Sequence, residues 1–167
     1  MLIRRLIIVL CLVVLATPAL AEEDKLLGRY GAWEAHKLLR DGETTCYAIS
    51  RPKSKLPKKL KRDETYFMVA HWLERDKMAE PSIVAGYAYR DGSTADVAVG
   101  KAKFQFFTKG DGAWLAEDKD ETRLVAAMKK GPTMAVKGTS ARGTKTTDSY
   151  SLSGFGTALD KAAKACK

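Results

Sequence analysis

The chain closes on a helix-forming stretch, Phe155-Gly-Thr-Ala-Leu-Asp-Lys-Ala-Ala-Lys-Ala-Cys166, with a cysteine one residue from its end. Chain ends fray unless something holds them, so the partner of Cys166 constrains the whole fold. The sequence has three cysteines, Cys11, Cys46 and Cys166. Cys11 lies in a segment organised as a secretory signal. Arg4 and Arg5 supply positive charge, Leu6 to Leu15 is unbroken apolar sequence, Thr17-Pro18 interrupts it, and Ala19-Leu20-Ala21 is a small-x-small cleavage site. The apolar run is too short to span a bilayer. Cleavage after Ala21 removes residues 1–21 and Cys11 with them. An exported chain with two cysteines has one internal pairing, a Cys46–Cys166 disulfide. The loop it closes is about 120 residues, worth about 4–5 kcal/mol in the chain-entropy account. The fold must therefore bring the last helix back onto an early segment.

What remains, residues 22–167, suits one domain with one core and contains no further run able to cross a membrane. Three Asp-Gly pairs, at Asp41-Gly42, Asp91-Gly92 and Asp111-Gly112, mark turns of the hairpin type. Between turns lie short runs with strand character: Trp33 to Leu39, Cys46 to Ser50, Thr65 to Trp72, Ser82 to Tyr89, Ala95 to Val99, Lys103 to Phe107 and Ala113 to Ala116. Thr133 to Thr139 and Lys145 to Leu152 add two more. The period changes between Asp120 and Gly131, where acidic residues crowd the start and lysines the end, with Asp118 or Asp120 as the expected cap. The final helix aligns Phe155, Leu159, Ala162, Ala163 and Cys166 on one face. The expected fold is mainly β, an antiparallel sandwich or flattened barrel of about eight or nine short strands with two short helices, one of them C-terminal.

Charge is concentrated in one place. The whole chain has 29 basic and 20 acidic residues, a net +9. Loss of Arg4 and Arg5 leaves 27 against 20. The segment Arg51-Pro-Lys-Ser-Lys-Leu-Pro-Lys-Lys-Leu-Lys-Arg62 carries seven cations and no acid, so the remainder balances at 20 against 20. Seven cations with two prolines read as an extended, solvated loop. Its residues, Arg51, Lys53, Lys55, Lys58, Lys59, Lys61 and Arg62, form a candidate anion-binding patch for anionic lipid, lipopolysaccharide or an acidic host-surface component. The alternative is a solubilising loop, or one that blunts a sheet edge. Nucleic acid is not an expected partner, because export removes the chain from it and no aromatics interleave the lysines.

Catalytic patterns are missing from the sequence. It has no Gly-x-Ser-x-Gly elbow, P-loop or dinucleotide fingerprint. A cysteine nucleophile needs a free thiol near a histidine, and both remaining cysteines are expected to be bridged. His36 and His71 fall singly in strand-like runs with no ligand spacing, so no metal and no cofactor are expected. Glu117, Asp118, Asp120 and Glu121 could mimic a carboxylate pair, but a helix N-terminus already accounts for them. Trp33, Trp72 and Trp114 could form a sugar-stacking platform, with core packing the commoner outcome.

Several stretches together resemble the invasion-associated locus B family of exported bacterial proteins. They are Gly31-Ala-Trp33, Cys46-Tyr-Ala-Ile-Ser, Val84-Ala-Gly86-Tyr-Ala-Tyr, Phe104 to Trp114 and Leu124 to Gly131. Val136-Lys-Gly-Thr-Ser140 and the ending Tyr150-Ser-Leu-Ser-Gly-Phe155 with Ala158-Leu159 complete the set. The resemblance implies a small, exported, β-rich protein associated with the cell envelope or host-cell entry, and with the basic segment the expected role is that of a non-enzymatic binding protein of the periplasm or the exterior. It brings no catalytic residues. Alternatives are a structural envelope protein without a polyanion ligand, or an enzyme acting on an envelope polymer. Mass spectrometry of protein recovered from the periplasm or medium should find a chain beginning at Glu22 with no free thiol; two free thiols would contradict the pairing.

Overall fold

The computed structural model describes residues 22–75 and 77–167; the expected leader, residues 1–21, lies outside them. The elements run β1 (Glu23–Tyr30), β2 (Trp33–Arg40), β3 (Glu43–Ser50), β4 (Ser54–Leu56), β5 (Tyr66–Trp72), β6 (Lys77–Val84), β7 (Thr94–Val99), β8 (Ala102–Lys109) and β9 (Gly112–Trp114). They continue with α1 (Asp118–Lys130), β10 (Thr133–Thr139), β11 (Lys145–Ser151) and α2 (Phe155–Ala165). All the strands pair antiparallel in one sheet, in the order β1-β2-β3-β5-β6-β9-β8-β7-β10-β11-β4. The expected class holds: antiparallel β with two helices, one C-terminal.

The sheet curls until its two rims meet. Ala32, in the β1–β2 turn, donates its N–H to the Ser153 carbonyl at 3.0 Å. The Trp33 indole Nε1–H reaches the Ser151 carbonyl at 2.9 Å. Beyond β3 the chain crosses the remaining gap, where the Lys53 N–H donates to Ser149 O at 2.7 Å and β4 pairs with β11. The result is a flattened barrel whose last gap is closed by the chain leaving β3.

Period-two alternation fills the inside. Ala95, Val97 and Val99 on β7 and Phe104 and Phe106 on β8 are buried, and their neighbours face outward. Trp33, Phe67, Phe106, Tyr150 and Phe155 are fully buried. Phe67 makes edge-to-face contacts with Trp33, Phe106 and Tyr150 at centroid distances of 6.4, 6.2 and 6.0 Å, while Trp33 meets Phe155 at 4.7 Å. One aromatic cluster thus joins β2, β5, β8, β11 and α2.

Local chemistry explains where the sequence reading and the fold part. Asp41-Gly42 forms the two-residue hairpin expected, with both residues at positive φ (51° and 82°) between the paired Arg40 and Glu43. The third turn centres one residue earlier, on Gly110-Asp111, because Lys109 pairs with Gly112. Asp91-Gly92 bends the chain between strands that do not pair with each other. The strand expected over Ser82 to Tyr89 occupies Lys77–Val84 instead. Its Pro81 lies just outside Ser82–Val84, the part that β9 pairs, so a missing N–H is tolerated there. β1 and β4, absent from the expected set, bring the strands to eleven in the described residues. Both are edge strands, exposed and polar, and show no apolar alternation to read. Helix α1 begins at Asp118, and neither Asp118 nor Asp120 caps it; Glu117 holds the cap position without a side-chain hydrogen bond.

Helix α2 buries Phe155, Ala158, Leu159 and Ala162, with Ala158 taking the place expected for Ala163. Its alanines let it lie close to β2 and β3. Gly154, at φ 86°, starts it so near the β1–β2 turn that a Cβ would sit 1.9 Å from the Tyr30 carbonyl oxygen. At the other end Cys166 is bonded to Cys46, with Cα atoms 5.9 Å apart. Lys37 Nζ donates to the Ala165 carbonyl at 3.2 Å, satisfying a last-turn acceptor. Urea denaturation of Cys166→Ser should show a loss of about 2–5 kcal/mol relative to the oxidised protein, and reduced wild type should match the variant.

Candidate functional site

The basic segment is held along its length. Its middle is β4, with Ser54 opposite Ser149, Lys55 opposite Asp148 and Leu56 opposite Thr147. The segment is extended and exposed there as expected, but it is not a loop throughout: residues Ser54–Leu56 are the sheet's last strand. A turn follows in which the Leu60 N–H donates to the Pro57 carbonyl at 3.2 Å, placing Lys58 and Lys59 at its centre. Arg51, Lys53, Lys55, Lys58, Lys59 and Lys61 are all exposed. Arg51 pairs with Glu64 at 3.2 Å. Among the described residues, Lys53, Lys55, Lys58, Lys59 and Lys61 make no ion pair.

Arg62 does not belong to that surface. Its side chain is 0% exposed and that of its partner Asp148 is 5%. The guanidinium grips the carboxylate with two nitrogens: Nη1 donates to Oδ2 at 2.9 Å and Nη2 donates to Oδ1. Arg62 also lies over the Tyr87 ring, 5.6 Å from its centroid. Burial works against the guanidinium's charge, but the hydrogen bonds and charge of Asp148 outweigh it and raise the pKa of Arg62 further. Burial, followed by the charge of Asp148, pushes the Tyr150 phenol well above its usual range, and burial raises Tyr87 and Tyr89 too. A buried carboxylate is tolerable only when paired and hydrogen-bonded, and here its partner arrives from the last residue of the basic segment. The segment is therefore pinned at one end by Lys53 N–H on Ser149 and at the other by Arg62 inside the barrel.

A sequence signal for this pair existed. Asp148 stands between Thr146 and Tyr150, three alternate residues of β11 that are all buried. An acid at an inward position of a period-two run requires a cation. Which of the chain's cations answers it is not a local property.

The other residues singled out from sequence are held in separate places. His36 lies on β2 between Asp24 (3.1 Å) and Glu34 (3.3 Å), stacked on Tyr47 at 5.1 Å. His71 is buried on β5 opposite Cys46, its Nδ1 accepting the Ala79 N–H at 3.1 Å. Burial first, then Lys129, lowers its pKa. Asp118 and Glu121 converge on Lys77, at 2.5 and 2.9 Å, while Glu117 pairs with Lys119 and Asp120 with Arg123. Trp33 is core. Trp72 and Trp114 are half-buried, Trp72 with Arg75 over its ring at 4.7 Å and its indole N–H on Glu80 at 2.6 Å, Trp114 against Phe107. They form no common platform with Trp33.

These features define a small antiparallel β-barrel protein closed by a crosslinked C-terminal helix, with one clamped cationic edge. The family described as invasion associated locus B (IalB) protein matches residues 38–163, and the chain belongs to that family. Its fold is similar to that of invasion associated protein B from Bartonella henselae, known from a crystal structure. The two share 18% sequence identity and a TM-score of 0.56, over 83% of this chain and 96% of that one. No curated protein matches the chain by sequence. The matched span contains the whole basic segment and Asp148.

Replacing Asp148 by Asn leaves Arg62 as an uncompensated buried charge. Urea denaturation should show a loss of about 3–5 kcal/mol. The double replacement Arg62→Met with Asp148→Leu should recover much of it, an outcome that a merely cavity-forming site would not give.

Proposed function

We propose that the protein is an exported, non-enzymatic binding protein that contacts anionic surfaces through Arg51, Lys53, Lys55, Lys58, Lys59 and Lys61. The observation that carries this reading is the presentation of these cations. All six are exposed on one short segment whose ends are tied into the sheet, and the five lysines make no ion pair among the described residues. Cations near an anionic bilayer each contribute about 1 kcal/mol, so six held together are a substantial attraction. A pre-ordered segment also loses less conformational freedom on binding than a free loop.

Export as a periplasmic or secreted protein is supported by the leader-like residues 1–21 and by a disulfide, a bond that persists in oxidising compartments. A non-catalytic role is supported by the engagement of His71 and of the α1 carboxylates in structural contacts. With relatives named for invasion, the surface contacted is the bacterial envelope or a host cell.

A second reading has its own observation: β4 is the last strand of the sheet, and lysines on an edge strand discourage unwanted pairing. Co-sedimentation with vesicles of phosphatidylcholine and phosphatidylglycerol across a salt series separates the two. Wild-type binding should fall steeply as salt rises, and replacing the six cations by Gln should weaken it about a hundredfold or more. Unchanged binding together with new self-association would assign the lysines to edge protection.

A further inference from the structure

We propose that the cleft between the end of the basic segment and the β10–β11 turn is a phosphate-binding pocket that takes a phosphomonoester group or inorganic phosphate. This rests on reading the basic segment as an anion-contacting surface, and gives that surface a specific seat. The cleft encloses about 330 Å³ and is lined by Lys61 from the basic segment and by Tyr87, Ser140, Arg142 and Thr144, a size within the range of small-ligand sites. No carboxylate lines it. The buried carboxylate Asp148 is already engaged by Arg62, whose guanidinium lies over the Tyr87 ring.

The donors are of the kind and number an oxyanion needs. Ser140 is 7% exposed, and its Oγ accepts the Thr144 N–H at 3.1 Å, which leaves its own hydroxyl hydrogen to donate. The Thr144 hydroxyl makes no hydrogen bond among the described residues. Lys61 adds an ammonium and Arg142 a two-pronged guanidinium, both exposed. A phosphomonoester offers three terminal oxygens and up to two negative charges, against two oxygens and one charge on a carboxylate. Four donors on four side chains, two of them cationic, match the phosphate better.

The turn that carries them is braced. Ser140 N–H donates to Thr144 O at 2.9 Å, Gly143 N–H to Ser140 O at 2.8 Å and Ala141 N–H to Ala88 O at 2.8 Å. Gly143, at φ 85°, lies close enough to a further cation that a Cβ there would be 2.7 Å from an Arg90 guanidinium nitrogen. The seat is therefore ordered before a ligand arrives, and the surrounding charge favours an anion.

Amide chemical-shift titration with inorganic phosphate should move the signals of Lys61 and of residues 140–144 saturably. Arg142→Gln, at an exposed position where folding is not at stake, should weaken that response about tenfold, and Ser140→Ala should weaken it further. Vesicles carry the second arm. At equal surface charge, phosphatidic acid, a monoester, should bind wild type about fivefold more tightly than phosphatidylglycerol, a diester, and Arg142→Gln should erase the preference. Equal binding to both lipids with no phosphate response would overturn the pocket while leaving the cationic surface standing. A phosphate response without binding to either vesicle would keep the pocket as a site for free phosphate compounds and overturn the surface reading.

Discussion

Docking of the C-terminal helix onto the early strands is the constraint on which the rest of the barrel depends. Helix α2 brings Phe155 against Trp33, and Trp33 in turn meets Phe67, the centre of the aromatic cluster. Both ends of the helix are fixed by contacts that tolerate little substitution. Gly154 packs backbone against the β1–β2 turn, and Cys166 is bonded to Cys46. Lys129 of α1 reaches Asp160 of α2 at 3.0 Å, so the second helix is tied to the first. A helix of 11 residues is marginal in isolation; here tertiary packing and a covalent bond hold it in place.

The Arg62–Asp148 pair does a different job. Exchanging a buried ion pair for well-packed apolar residues is often neutral or stabilising, so its presence is weak evidence of a stability role. Its consequence is positional. The cationic stretch is drawn into the barrel at one end and hydrogen-bonded into the sheet at the other, and Lys58 and Lys59 are left at the apex of a turn. Concentrated charge on a balanced body then becomes a surface with a defined place, beside a cleft lined by a further cation, Arg142, and by the neutral hydroxyl of Ser140. The IalB family match spans all of these residues, whereas the structural likeness to the Bartonella henselae protein, at 18% identity, concerns the fold.

Most of the architecture is readable locally. Strand runs alternate with period two, Asp41-Gly42 has the chemistry of a two-residue hairpin, and the last helix shows its apolar stripe. The disulfide follows from counting cysteines once the expected leader, with Cys11, is set aside. The misreadings are equally local in origin. β1 and β4 pair along one side only, and the side chains of β4 are all exposed, so no hydrophobic pattern marks them. The strand expected from Ser82 begins five residues earlier, and Pro81 lies inside it, where the neighbouring strand β9 is too short to need its N–H.

From sequence alone came the period, the turn chemistry, the expected Cys46–Cys166 pairing and the segregation of charge, because each depends on residues close together or on simple counting. The tertiary structure alone decided that Arg62 turns inward while its six basic neighbours stay outside. Its partner, Asp148, is 86 residues further along the chain, and a buried carboxylate selects whichever cation the closed sheet brings within reach. Proximity of that kind arises from the curl of the barrel, which no local stretch of the chain encodes.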